Sequence, residues 1–157
     1  MKASESDHCQ SDLVQPVETA ASGSPTNRAE PSKTLLVVED EPLIRNLEVQ
    51  FLRRQGYTVL QAEGAMEALG LATATVTIHL LITDFLMPEV DGLELTRRFR
   101  KVHPKTPVLM VSGSLFLLPA GSELNLDRFE VLEKPFQISE LLHKVHSLLD
   151  AYAPVPI

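Results

Sequence analysis

One cysteine in 157 residues, Cys9, excludes any intramolecular disulfide and any multi-cysteine zinc or iron–sulfur site. Basic side chains are in the minority: 14 Lys and Arg against 21 Asp and Glu leave a formal charge of −7. A nucleic-acid-binding module needs clustered positive charge to displace counterions from phosphates, so that class is disfavoured. No segment reaches the roughly 18 consecutive apolar residues of a membrane-spanning helix. The N-terminus, MKASESDHCQ, lacks the apolar run of a secretory signal. The expected setting is the cytoplasm, with no nucleic-acid or membrane partner. What remains, 44% hydrophobic and 22% charged residues, is the composition of a globular protein long enough for one domain with its own core.

The first 33 residues carry three prolines, many Ser, Thr and Ala, and three large aliphatics, Leu13, Val14 and Val17. That is too little apolar surface to offset the entropy of ordering, so residues 1–33 are expected to form a disordered leader. From Thr34 the pattern alternates between short apolar runs and helical periodicity. TLLVVE, YTVLQA, IHLLITD, PVLMVSG and FEVLEK read as buried strands. The helix after the first strand has Pro42 in its first turn and Gly56 at its C-cap, with Leu43, Ile44, Leu47, Phe51 and Leu52 as its expected inner face. The second helix is expected to face inward with Ala65, Met66, Leu69 and Ala72. The third follows the Asp91-Gly92 turn. A fourth, in SLFLLPAGSELNL, is expected to be short or broken by Pro119 and Gly121. The last carries a stripe of Ile138, Leu141, Leu142, Val145, Leu148 and Leu149. Only AYAPVPI follows that helix, so no attached output domain is expected.

Five strands alternating with five helices predict a doubly wound parallel sheet with helices on both faces. In such sheets the functional crevice lies beyond the carboxyl ends of the strands. Polar residues do stand where the apolar runs end: Glu39-Asp40 with Glu41 next, then Asp84, Ser112-Gly113, and Lys134-Pro135-Phe136. Any single carboxylate here would read as a helix cap or turn residue. Coincidence at four strand ends argues for a site. Clustered carboxylates repel unless a cation or protons join them, and an oxygen-only set with open positions suits Mg²⁺. A lysine and a hydroxyl aimed at the same crevice suit a phosphoryl group, so the set describes phosphoryl transfer onto a carboxylate.

With these residues in place, the chain from Thr34 to Tyr152 resembles the receiver domain of two-component response regulators, chemotaxis-regulator-like and of the stand-alone type. The resemblance rests on Glu39-Asp40, the run Asp84-Phe85-Leu86-Met87-Pro88-Glu89-Val90-Asp91-Gly92, Ser112-Gly113 and Lys134-Pro135-Phe136. It implies a (βα)5 flavodoxin-like fold with strand order 2-1-3-4-5, over residues 34–152, followed by a short tail at 153–157. It implies Asp84 as phosphoacceptor from a histidine kinase or histidine-phosphotransfer protein, with Ser112 and Lys134 holding the phosphoryl group. Mg²⁺ would be bound by Glu39, Asp40, Asp84 and the backbone carbonyl of Leu86. A cis bond before Pro135 and structural roles for Met87, Pro88 and Gly92 are implied as well. Such a protein is a signalling phosphoacceptor rather than an enzyme, and acts through protein contacts or a phosphorelay.

Two departures qualify the expectation. Val131 stands where the family usually has an aromatic residue whose rotamer follows activation, which leaves open a degenerate receiver that serves as a phosphorylation-independent scaffold. Ser114 to Pro119 is unusually apolar and suggests an interface around Phe116 and Leu118. The apolar Leu86, two positions beyond the phosphoacceptor, implies slow self-dephosphorylation. A flavin-binding protein is disfavoured because Glu39, Asp40 and Glu41 would repel a phosphate. A haloacid-dehalogenase-like phosphatase is disfavoured because Leu86 stands where its second Asp would be. His143 and His146 read as a solvated helix face, His79 as a packed strand residue, and His103 as a helix-ending cation; His8 and Cys9 make no site.

Overall fold

Side chains alternate in direction along each strand, and because the central strands are buried on both faces they sort into two layers, one on each side of the sheet. The computed structural model describes residues 32–75, 77–114 and 127–153, all within a unit spanning Pro31–Ile157. In chain order the elements are β1 (Thr34–Val38), α1 (Pro42–Arg54), β2 (Thr58–Ala62), α2 (Ala65–Ala74), β3 (Leu80–Asp84), α3 (Gly92–Val102), β4 (Val108–Ser112), β5 (Phe129–Glu133) and α4 (Ile138–Ala151). The five strands pair in parallel in the order β2-β1-β3-β4-β5. This is the expected doubly wound sheet. The fourth helix expected before β5, the apolar Phe116–Leu118 patch, the leader with His8 and Cys9, and the end of the tail lie outside the described residues.

Leu35, Val37, Leu80, Ile82, Leu109 and Val111 face α1 and α4, where Val49, Leu52, Leu141, Val145 and Leu148 cover them. Leu36, Val38, Leu81 and Val108 face the opposite way, against α2 and α3. The side chains of Leu35, Leu36, Leu80, Leu81 and Leu109 are fully buried, each worth roughly 2 kcal/mol in removed apolar surface.

Two helices turn differently from the expectation. In α1 the buried residues are Glu48, Val49 and Leu52, whereas Leu43 is 78% exposed, Leu47 65% and Ile44 37%. The helix carries two adjacent apolar stripes, and the one holding Val49 and Leu52 meets the sheet although it includes a glutamate. In α2 the buried residues are Ala65, Ala68 and Ala72, and Met66 is 62% exposed. Here small side chains form the inner face because α2 packs closely beside Phe99 and Leu95 of α3.

α3 is held at both ends. Asp91 caps it, its Oδ1 accepting from the Glu94 N–H at 2.9 Å. His103 caps it as a buried residue rather than a solvated one. Its Nε2 lies 2.8 Å from the Ala72 carbonyl and its ring stacks on Phe99 with centroids 5.0 Å apart. A carbonyl can only accept, so that nitrogen carries the proton. His79 precedes β3 by one residue and accepts the Thr34 N–H on Nδ1 at 2.9 Å. His143 and His146 are exposed on α4, as expected of a solvated face.

Candidate phosphoryl and metal site at the strand ends

β1, β3, β4 and β5 end side by side, so the polar residues that terminate their apolar runs converge without any long loop to position them. Glu39 follows β1 and is 3% exposed. Its Oε1 accepts the Glu41 N–H at 3.1 Å, which orients the carboxylate. Asp84 closes β3, and one oxygen from each of Glu39, Asp40 and Asp84 lies within 4.8 Å of the others. Two unit charges at that outer separation still repel by roughly 3 kcal/mol at an effective dielectric near 20.

Lys134, just after β5, answers that repulsion. Its Nζ donates to Asp84 Oδ2 at 3.0 Å and to Glu39 Oε2 at 3.3 Å. Burial works against the charged ammonium, but the hydrogen bond and charge of Asp84, then those of Glu39, outweigh it and hold the Lys134 pKa above the ordinary lysine value. Glu39 moves upward too: desolvation dominates and Asp84 adds to it, over the opposing Glu41 N–H and Lys134. The peptide bond between Lys134 and Pro135 is cis, as the resemblance implied.

Ser112 closes β4 and is buried, but its hydroxyl is engaged locally. It donates to the Ser114 carbonyl at 2.8 Å and accepts the Ser114 N–H at 3.2 Å. Leu86 lies in the loop after Asp84 with its side chain 59% exposed. Val131 packs with Phe129 against Phe85, Leu93 and Met110, so the position of the usual aromatic is filled by a small core contact.

Gly92 proves to be a site residue in a physical sense. A Cβ built there would lie 2.3 Å from the Asp84 carbonyl oxygen and 3.1 Å from the Phe85 Cα. Its N–H donates to the Phe85 carbonyl at 2.8 Å. Only glycine lets the start of α3 come this close to the Asp84 backbone. The Asp-Gly pair announced a turn but gave no sign of this contact. A residue that the sequence did not single out is Glu48, 4% exposed on the inner face of α1. Burial first, then the charge of Glu39, push its carboxyl up to about 7. No signal in a helix of mixed pattern distinguishes a buried glutamate from a solvated one.

A family model described as the response regulator receiver domain matches residues 35–146. The chain is 36% identical to part of the sensor kinase CckA of Brucella abortus, over 76% of this chain and 13% of that protein. It is 31% identical to the response regulator receiver protein CpdR of the same organism, over 76% of this chain and 98% of that one. Among solved structures, the Mg(2+)-BeF complex of the Thermotoga maritima response regulator protein TrrA superposes with a TM-score of 0.64 at 32% identity, covering 74% of this chain and 98% of that one. The chain belongs to the response regulator receiver domain family. It spans only 13% to 44% of the first curated relatives it matches. Among the described residues no helix is long and apolar enough to cross a membrane.

Proposed function

We propose that this receiver accepts a phosphoryl group on Asp84 from a histidine kinase or histidine-phosphotransfer protein, in the presence of Mg²⁺. The observation that carries the reading is Lys134 bridging two of three carboxylates gathered within 4.8 Å. In the transfer, an Asp84 carboxylate oxygen attacks phosphorus, the phosphorus–nitrogen bond of the donor phosphohistidine breaks, and the departing imidazole nitrogen keeps the electron pair and takes a proton. The product is an aspartyl phosphate. Lys134 donates to a phosphoryl oxygen in place of its present bond to Asp84, and the Ser112 hydroxyl exchanges its bond to the Ser114 carbonyl for another phosphoryl oxygen.

The donor set fits magnesium: the converging side-chain ligands are all oxygens, and their mutual repulsion favours a divalent cation. Glu39, Asp40, Asp84 and the backbone carbonyl of Leu86 would hold it. When bound, it supplies positive charge against the oxygens of the transferring group. The match to CpdR, a receiver protein covered over 98% of its length, supports an output carried by contacts between proteins or by onward transfer in a phosphorelay; the cytoplasm is the setting proposed for it. Incubation with acetyl phosphate and Mg²⁺, followed by intact-mass measurement, tests the reading. One phosphoryl group should be added to the natural chain and none to Asp84→Asn. Equal modification of both would refute Asp84 as the acceptor.

A further inference from the structure

At the other end of the sheet, where β3, β4 and β5 begin and α4 ends, lies a cavity of about 520 Å³. The length of β3 separates it from Asp84, roughly 16 Å at 3.3 Å per residue. Ile78 and Pro107 give it apolar walls beside the Tyr152 ring, and Lys105, Arg128 and His79 line it with positive charge and N–H donors. A smaller hollow of about 30 Å³ shares His79 and Tyr152 and adds Lys33. Although the chain carries a net charge of −7, no acidic side chain among the described residues lines this cavity. Asp127 and Asp150, the acids nearest in sequence, stand outside its walls, and their charges act on Arg100 and Tyr57.

The donors around this cavity are positioned but not consumed by the fold. Lys105 is exposed, and among the described residues its ammonium has no partner. His79 accepts the Thr34 N–H on Nδ1, so the neutral ring carries its proton on Nε2, which meets no acceptor among those residues. The Tyr152 hydroxyl accepts the Arg128 N–H at 3.1 Å and keeps its own hydrogen for another group. The Arg128 guanidinium donates to the Lys105 carbonyl at 2.7 Å and lies 4.7 Å from the centre of the Tyr152 ring. These contacts hold Arg128 at a φ of 63°, a left-handed backbone that costs energy in any residue but glycine. A side chain so fixed loses little freedom when a ligand arrives.

Lys105 and Arg128 are two permanent positive charges, which a single carboxylate would leave half answered. A phosphomonoester brings close to two negative charges and three acceptor oxygens. Bare phosphate would leave Ile78, Pro107 and Tyr152 uncovered, and a concave, partly apolar cavity with a few converging donors suits a small molecule. We propose that this cavity binds a small organic phosphomonoester, its phosphate held by Lys105, Arg128 and His79 and its organic body laid against Ile78, Pro107 and Tyr152. The site is separate from phosphoacceptance, because it uses none of Glu39, Asp40, Asp84, Ser112 and Lys134.

The test uses the full 157-residue chain without Mg²⁺, labelled for amide shifts, and three probes: benzyl phosphate, inorganic phosphate and phenylacetate. Benzyl phosphate should shift amides of residues 78–79, 105–108, 128 and 151–153. Inorganic phosphate lacks the organic body and phenylacetate one charge, so each should bind about tenfold more weakly or worse. Lys105→Gln should weaken benzyl phosphate about tenfold, the effect of losing one charge-assisted bond. Arg128→Gly should weaken it at least as much, and glycine takes the left-handed backbone without strain, so the fold is kept. Absence of shifts at these residues, equal binding of either other probe there, or indifference to either substitution would overturn the proposal. Shifts confined to residues 39–40, 84 and 134 would assign the anion to the phosphoacceptor site and overturn it as well. Asp84→Asn should bind benzyl phosphate as the natural chain does, and Lys105→Gln should still be modified by acetyl phosphate and Mg²⁺. Failure of the cavity and failure of the phosphoacceptor are thereby read separately.

Discussion

Glu39 and Glu48 stand nine positions apart in the chain, both nearly inaccessible to water, and they meet opposite fates. Glu39 accepts the Glu41 N–H and shares the Lys134 ammonium with Asp84. Glu48 has a carboxylate oxygen with no partner at all. A strand end gathers charge from several strands at once, so a buried carboxylate there finds compensation. On the flank of α1 no hydrogen-bond donor reaches that Glu48 oxygen, and the charge of Lys134 is set against those of Glu39 and Asp84, so the carboxylate stays poorly compensated. Burial raises both carboxyls, but at Glu39 hydrogen bonds and the Lys134 charge oppose it, whereas at Glu48 no hydrogen bond does.

The sharpest way to break that contrast is to remove the compensation. Lys134→Met should destabilise the metal-free protein by about 3 kcal/mol at pH 8, the order expected when a largely buried ion pair loses one partner, and saturating Mg²⁺ should restore much of the loss. Denaturant titration with and without the metal measures both numbers. No loss would mean that Glu39 and Asp84 repel far less than their spacing implies.

Glu48 gives the next largest effect, with the opposite sign. Its folded pKa, about 7, lies above its ordinary value of 4.5, so between those values the folded state binds the extra proton. Stability from this group is fully present below about pH 4.5 and is lost as pH rises through about 7. The loss amounts to at most about 3 kcal/mol. Glu48→Leu should remove that decline and make the protein more stable than the natural chain at pH 8, as thermal melts at several pH values will show. An unchanged pH slope would contradict the burial of the charge.

Gly92→Ala should cost about 2 kcal/mol, the scale of overpacking, and shift the amides of residues 84–92, because the added methyl meets the Asp84 carbonyl. The smallest effect on folding is expected at Leu86, whose exposed side chain supports no core. There the reading concerns kinetics: an apolar group cannot orient a hydrolytic water, so the phosphorylated protein should persist well beyond seconds. Following loss of the phosphoryl mass with time checks it.

The contrast between the two glutamates also explains what the amino-acid sequence made legible. The parallel sheet could be read because each strand is a short apolar run, and the site because Glu39, Asp84, Ser112 and Lys134 interrupt those runs at their ends. The rotation of α1 could not, since its two apolar stripes differ mainly in which includes Glu48. The inner face of α2 was obscured because alanines, not Met66, make the close contact with α3. Ser112 was expected to face the phosphoryl group, and here its hydroxyl bonds Ser114. The hydrogen bond of His103 could not be foreseen, since its acceptor, the Ala72 carbonyl, comes from a helix 31 positions away.

The anchoring of α3 has a mechanical consequence. Its first residue abuts the backbone that carries Asp84, and His103, which caps its other end, is clamped to the last turn of α2. A helix so tethered is a strut: displacement of the loop after Asp84 must be passed along its axis to the neighbouring helix, or be resisted by both.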